Sequence, residues 1–174
     1  MDFDNEYSHP EVETGSDELL SDDNLRLPDS ANPLVRVHAI RAWLARRQKE
    51  TRLHIGEIAL DLQALQQEDQ MQPAVRSLRR RELQARQERL QLAQEQFIST
   101  QQLLGAYEEA EGLLEECVNH TTVSERLLVE YYLTIEQLVQ EAAQAGEGGE
   151  ESARCVALAA VLQRVEQIGA PHDD

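Results

Sequence analysis

The feature that most constrains the fold is a run of apolar residues spaced seven apart within a long polar segment. Leu83, Leu90, Phe97 and Leu104 recur at this interval among Gln, Glu and Arg, with no proline or glycine between them. The pattern predicts one helix from about Ala74 to Asn119. At 1.5 Å per residue this helix would be roughly 65 to 70 Å long. A compact domain of 174 residues cannot enclose such a helix, so the chain is predicted to be elongated.

A second long helix is predicted ahead of it. Asn32 is a suitable N-cap residue and Pro33 suits the first helical position. Apolar residues at heptad spacing then continue to about residue 68, with polar residues in the middle of the face at Arg41, Gln48 and Thr51. Pro73 disfavours helix at the residue before it, which predicts that the chain reverses over residues 68–73. The two helices would form a hairpin or coiled coil.

Two shorter helices are predicted after the hairpin. Thr122 to Glu125 has the spacing of a capping box, residues 146–151 read as a flexible linker, and Ser152 to Ile168 carries a further apolar stripe. The second long helix also widens its apolar face beyond residue 103, which calls for more than one neighbour. The expected fold class is therefore all-α: a helical hairpin over 31–120, and a C-terminal two-helix element over 121–174 packing on its end as a small bundle.

Charge divides the chain into blocks. The formal net charge is −17, and residues 1–30 alone contain ten acidic residues and one arginine. Such a segment is too poor in aliphatic residues to offset the entropy of ordering, so residues 1–30 are predicted to be a disordered acidic tail. Within it, Leu19 and Leu20 lie among acids and are candidate partner contacts. The overall negative field argues against nucleic acid and anionic lipid as ligands of the whole molecule.

The charge blocks also suggest a register for the hairpin. Folding the chain about residue 71 places residue 52 opposite about residue 90 and residue 36 opposite about residue 106. Arg36 and Arg41 would then approach the acidic far end of the second helix, and Glu57 and Asp61 would lie near the arginines of residues 76–89.

No pattern for catalysis, cofactor binding or metal binding is present in the sequence. It has no glycine-rich phosphate loop or nucleophile elbow. Cys117 and His120 are three residues apart on one helical edge, and the distant Cys155 is the remaining cysteine, which leaves a structural zinc site short of its four ligands. The first residues are not expected to act as a secretory signal, and no run is expected to span a bilayer. An intracellular, cytoplasmic protein is expected, with association with the cytoskeleton and a nuclear location left open.

These patterns favour a non-enzymatic coiled-coil scaffold or adaptor subunit that assembles with other helical proteins, in a hetero-oligomer rather than a homodimer. Complexes of cytoskeletal, kinetochore, centrosomal or vesicle-trafficking type use such subunits. The expected partner contacts are Leu83, Leu90, Phe97, Leu104, Trp43, Leu19 and Leu20. Two alternatives stay open: a regulatory protein that binds calmodulin or a membrane surface through the basic helix around Trp43, or a nuclear DNA-associated factor that uses Arg79, Arg80 and Arg81.

Overall fold

The computed structural model describes residues 19–28, 30–71, 80–145 and 152–168, and all regular structure in these ranges is helical. Four long helices follow one another along the chain: α1 (Pro33–Met71), α2 (Arg80–His120), α3 (Glu125–Ala145) and α4 (Ala153–Ile168). The predicted all-α fold is confirmed. The predicted linker at 146–151 and the predicted chain reversal at Pro73 lie outside the described residues.

The start of α1 follows the predicted capping pattern. Asn32 Oδ1 accepts a hydrogen bond of 3.0 Å from the main-chain N–H of Leu34, and Pro33 is the first helical residue. Asparagine at this position satisfies an N–H that has no partner within the helix, and proline has no N–H to satisfy. The helix continues to Met71, slightly beyond the expected end near residue 68.

α1 and α2 form an antiparallel hairpin, but the predicted register is wrong. Arg52 Nη2 donates to Glu108 Oε1 at 2.8 Å, and Arg41 Nη2 donates to Glu115 Oε2 at 2.7 Å. Relative to the expected pairing, α2 is displaced by roughly 14 to 18 residues, or about 21 to 27 Å along the helix axis. A displacement near two heptads keeps the same apolar faces together, so heptad spacing alone does not distinguish these registers. The expected approach of Arg41 to the acidic end of α2 is confirmed.

Short polar residues precede the two C-terminal helices. Ser152 Oγ accepts a 3.2 Å hydrogen bond from the N–H of Cys155 and so caps α4, which begins one residue after the expected start at Ser152. α3 begins at Glu125, so Ser124 rather than Thr122 immediately precedes it, and the predicted capping box is displaced from the helix start. Tyr131 on α3 and Tyr132 beside it contact α2 and α4 through their hydroxyl groups.

The core is concentrated at one end of the hairpin, where all four helices meet. α4 lies against α2 and α3, and the first half of α1 closes the bundle. The largest fully buried side chains are Tyr131, Ile40, Leu44, Leu114, Leu127, Leu128, Ile135, Leu158, Ile168, Val37, Val161 and Val165. Aliphatic side chains from every helix therefore share one core.

Residues 19–28, called the strap below, lie against this bundle. Leu20, Leu25 and Leu27 pack on the core, and Ser21 is buried. The predicted disordered tail is corrected for these residues, because charged side chains on α1 and α4 bind their main chain and one of their carboxylates. Residues 1–18 of the predicted tail lie outside the described residues.

Candidate functional site

The hairpin is longer than the helices that cover it. α1 has 39 residues and α2 has 41, whereas α3 has 21 and α4 has 16. These numbers correspond to about 60 Å for each long helix against about 32 Å and 24 Å for the short ones. We call residues 53–68 of α1 and 81–99 of α2 the distal hairpin. Ile58 is the one buried side chain in these two ranges.

Burial in the distal hairpin follows alternating three- and four-residue steps. Between residues 81 and 99 the side chains that are not exposed are Arg86, Leu90, Ala93 and Phe97. On α1 the corresponding positions are Thr51, Ile55, Ile58, Leu62 and Leu65. This spacing is that of one helix packing along another. The predicted partner residues Leu90 and Phe97 therefore lie on the seam between α1 and α2.

Other large apolar side chains of the distal hairpin face away from this seam. The exposed fractions are 63% for Leu53, 68% for Leu60, 56% for Leu92 and 56% for Ile98, and the predicted contact Leu83 is 47% exposed. Leu53 and Leu60 are seven residues apart and share one face of α1. Sequence reasoning concentrated on the heptad stripe of α2 and missed these four residues. The seven-residue spacing of Leu53 and Leu60 was the available signal.

The remaining predicted partner contacts lie in the bundle or on the strap. Leu104 is half-buried, Leu19 is exposed, and Leu20 packs against the core. These residues do not form one continuous surface with Leu83, because Leu19 and Leu20 belong to the strap at the other end of the molecule. The structure thus separates the predicted contacts into three regions: the distal hairpin, the bundle with Leu104 and Trp43, and the strap.

Trp43 is buried beneath the strap, with 3% of its surface exposed. Its ring meets that of Tyr107 edge to face, with centroids 6.0 Å apart, and the Arg47 guanidinium lies 5.2 Å from the indole centroid. Burial also raises the pKa of Tyr107. The indole Nε1–H donates to Asp23 Oδ1 at 2.6 Å. In this arrangement the strap encloses the indole that the sequence suggested as a contact for calmodulin or a membrane surface.

The strap is held by cationic and aromatic side chains from two helices. Arg164 of α4 donates to the main-chain carbonyls of Asp22, Asp23 and Leu25. Arg47 Nη2 lies 3.0 Å from Asp23 Oδ2. Burial lowers the pKa of Arg164, because desolvation disfavours its charged form. We call Trp43, Arg47 and Arg164 the socket.

The groups considered for metal or catalytic chemistry are dispersed. Cys117 is half-buried, and burial, together with the nearby Glu130, raises the pKa of its thiol, which disfavours the nucleophilic thiolate. Cys155 is buried, with its Sγ 4.0 Å from the carbonyl oxygen of Val139. Across the described ranges no three His, Cys, Asp or Glu side chains are grouped so that they could hold a metal ion.

Of the three arginines considered for DNA binding, only the side chain of Arg81 is among the described residues. Arg81 is exposed near the start of α2, whereas Arg79 and the side chain of Arg80 lie outside the described residues.

Among the described residues, no helix is both long enough and apolar enough to cross a bilayer. Comparisons of the chain with protein-family models, curated proteins and solved structures give no match.

Proposed function

We propose that the protein is a non-enzymatic scaffold or adaptor subunit that assembles with another helical protein through the outer face of the distal hairpin. The observation that carries the proposal is the exposure of Leu53, Leu60, Leu92 and Ile98 on a part of the hairpin with little cover from α3 and α4. Single exposed leucines are common on protein surfaces. Four in a two-helix segment, two of them on one face of α1, favour a surface that another helix covers.

A partner helix on this face would bury apolar surface that is exposed in the free chain. Full burial of one leucine stabilises by about 1.5–3 kcal/mol, so covering the exposed part of Leu53 or Leu60 contributes roughly 1–2 kcal/mol each. A partner helix with apolar residues at seven-residue spacing would pack on both. The α1–α2 seam beneath them would act as a coiled-coil support and keep the two leucines in line.

The acidic charge around this face favours a partner of different sequence over a second copy of the same chain. The distal part of α1, residues 53–68, contains Glu57, Asp61 and Glu68 and neither lysine nor arginine. In a symmetric dimer the same patch meets itself, which would bring the acidic residues around Leu53 and Leu60 together. A partner helix with basic residues beside its apolar stripe complements the patch. We therefore propose a hetero-oligomer in an intracellular complex, of the cytoskeletal, kinetochore, centrosomal or vesicle-trafficking type.

The test replaces Leu53 and Leu60 with glutamate in the full chain and uses Gln63→Glu as the matched control. Gln63 is exposed on the same stretch of α1, so the control adds charge without removing an apolar contact. Tagged wild-type, double-variant and control chains are used to purify partners from native extracts. A partner retained by wild type and control is then produced alone and mixed with each purified chain. Size exclusion with light scattering gives the mass of the mixture.

We expect a discrete complex with wild type and with Gln63→Glu, and loss of that complex with Leu53→Glu/Leu60→Glu. The double variant should keep its helical circular dichroism, because neither leucine belongs to the core. A partner that binds the double variant as well as it binds wild type would contradict the assignment of this face. A wild-type chain that forms only a complex with itself would contradict the hetero-oligomer.

A further inference from the structure

The side chain of Arg164 binds mainly main-chain atoms of the strap. Its Nη1 atom lies 3.1 Å from the carbonyl oxygens of both Asp23 and Leu25, and its Nη2 atom donates to the carbonyl of Asp22. Main-chain carbonyls are common to every peptide, so Arg164 would bind any segment of similar backbone conformation. Selectivity comes from Trp43 and Arg47, which bind the two carboxylate oxygens of Asp23 separately.

The strap leaves part of the socket unsatisfied. The Nε–H groups of Arg47 and Arg164 are buried and have no hydrogen-bond partner among the described residues. Arg164 is 2% exposed, so bulk water does not supply the missing hydrogen-bond acceptor for its Nε–H group. A cavity of about 120 Å³ is lined by Asp23, Trp43, Arg47 and Arg164 together with Ala160, Gln163 and Gln167. Within the described residues, the socket thus has two buried N–H groups without an acceptor and a cavity that Asp23 lines.

The strap precedes α1 in the chain and is bound by side chains of α1 and α4. Among its residues Ser21 is buried, whereas Asp22, Asn24 and Arg26 are exposed and Leu20, Leu25 and Leu27 are half-buried. A segment with so little fully buried surface belongs to the parts of a protein that open at low free-energy cost.

We propose that the socket is a binding site for an extended acidic peptide of a partner protein, and that the strap occupies it as an internal competitor. The peptide would place an acidic side chain where Asp23 lies and a leucine two residues later, where Leu25 packs on the core. Phosphoserine in place of Asp23 offers three acceptor oxygens and more charge than a carboxylate. It can accept from the free Nε–H groups and occupy the cavity, so a phosphorylated peptide binds more tightly than an aspartyl one.

The proposal is tested with a labelled peptide of sequence SDDNLRL, corresponding to residues 21–27, and the full chain. The double variant Asp23→Ala/Leu25→Ala weakens the strap and keeps the socket intact. Because a tethered competitor acts at an effective concentration on the order of millimolar, the double variant should bind the peptide at least about tenfold more tightly than wild type. Arg26→Ala is the matched control in the chain, because Arg26 is exposed, and it should behave as wild type.

Three peptides differing at the position of Asp23 define the chemistry. Relative to aspartate, alanine should weaken binding to the double variant at least about tenfold, and phosphoserine should strengthen it by a similar factor. The proposal is overturned if the aspartate and phosphoserine peptides fail to bind a helical double variant, or if the alanine peptide binds equally well. A phosphoserine peptide that binds no more tightly than aspartate overturns the role of the free donors.

A second measurement covers the case in which the double variant does not fold. Wild-type chain is saturated with the phosphoserine peptide, and hydrogen exchange of the amides of residues 19–28 is followed by mass spectrometry. Displacement of the strap should increase their exchange, while amides in the middle of α3 and α4 should keep their protection. Unchanged exchange in the strap at saturating peptide would refute its role as a displaceable ligand.

Discussion

Tyr131 gives a prediction that can be calculated from one hydrogen bond and one pKa. Its side chain is fully buried, and its hydroxyl donates to the main-chain carbonyl of Ala110 at 2.9 Å. Replacing it with phenylalanine removes this bond while keeping the ring. A neutral hydrogen bond contributes about 0.5–1.5 kcal/mol, so Tyr131→Phe should lower the free energy of unfolding by about 1 kcal/mol at neutral pH.

The same substitution should become neutral and then stabilising in alkali. Burial raises the pKa of Tyr131 far above its ordinary value, so the phenol stays protonated in the folded chain. In the unfolded chain it ionises near pH 10, and stability is lost as pH rises above that value. The resulting loss in the free energy of unfolding of wild type reaches about 1 kcal/mol near pH 10.7. If the hydrogen bond contributes between about 0.5 and 1.5 kcal/mol, the loss equals that contribution at a pH between about 10.1 and 11.1. Above that pH the phenylalanine variant should be the more stable chain.

The assay is urea unfolding followed by far-UV circular dichroism at about pH 8 and at half-unit steps above pH 10. Tyr132→Phe is the control. The Tyr132 hydroxyl lies at the surface and donates to Glu166 at 2.9 Å, so its removal should have a smaller effect near neutral pH. A difference between wild type and Tyr131→Phe that stays constant up to about pH 11 would refute the assigned burial and protonation of this phenol.

Three further predictions concern the strap, the seam and the first helix cap. Asp23→Ala should destabilise the chain by about 1–2 kcal/mol through loss of two charge-assisted hydrogen bonds, and Trp43 emission should shift to longer wavelength; an unchanged spectrum would contradict the contact. Leu90→Ala should cost about 1–2 kcal/mol in urea unfolding because its side chain is half-buried, whereas Leu60→Ala should stay within about 0.5 kcal/mol of wild type; equal losses would contradict the position of the seam. Asn32→Ala should cost about 1 kcal/mol, and no change in thermal melting would show that the cap is replaced by water.

Helix positions were predictable because their signals are local. Asn32 with Pro33, and Ser152 before Cys155, bring the capping group and the helix start together within a few residues. Thr122 to Glu125 shows the limit of such signals: its spacing matches a capping box, yet α3 begins at the end of it. Where several polar residues follow one another, the local sequence does not determine which of them precedes the helix, and tertiary packing sets the exact start.

The strap was not predictable from composition. Ten acids in the first 30 residues predict disorder. A composition averaged over the segment does not show what a single carboxylate contacts. Asp23 is bound by Trp43 and Arg47, and Arg164 lies 141 residues further along the chain. No local pattern connects residues at such separation. The socket residues were visible in the sequence only as a basic helix with a tryptophan and as an isolated arginine.

The heptad stripe of α2 predicted partner contacts without identifying the partner. A stripe such as Leu90 and Phe97 indicates that a helix packs against something, without indicating whether the neighbour is in the same chain. Here α1 of the same chain packs along this stripe. Leu53 and Leu60 of the same segment remain exposed.

A layer of buried polar residues determines how far the hairpin projects. Thr51 and Thr100 donate to carbonyls of their own helices at 2.7 Å, so they are satisfied in any register. Gln48 instead reaches across to α2, where its Nε2 lies 2.6 Å from Glu111 Oε2. Moving α2 by two heptads would preserve the apolar pattern but leave this buried amide without Glu111, at a cost of about 1–3 kcal/mol. Gln48 therefore favours the observed register over others that the leucines permit, and the register determines how far the hairpin extends beyond the bundle.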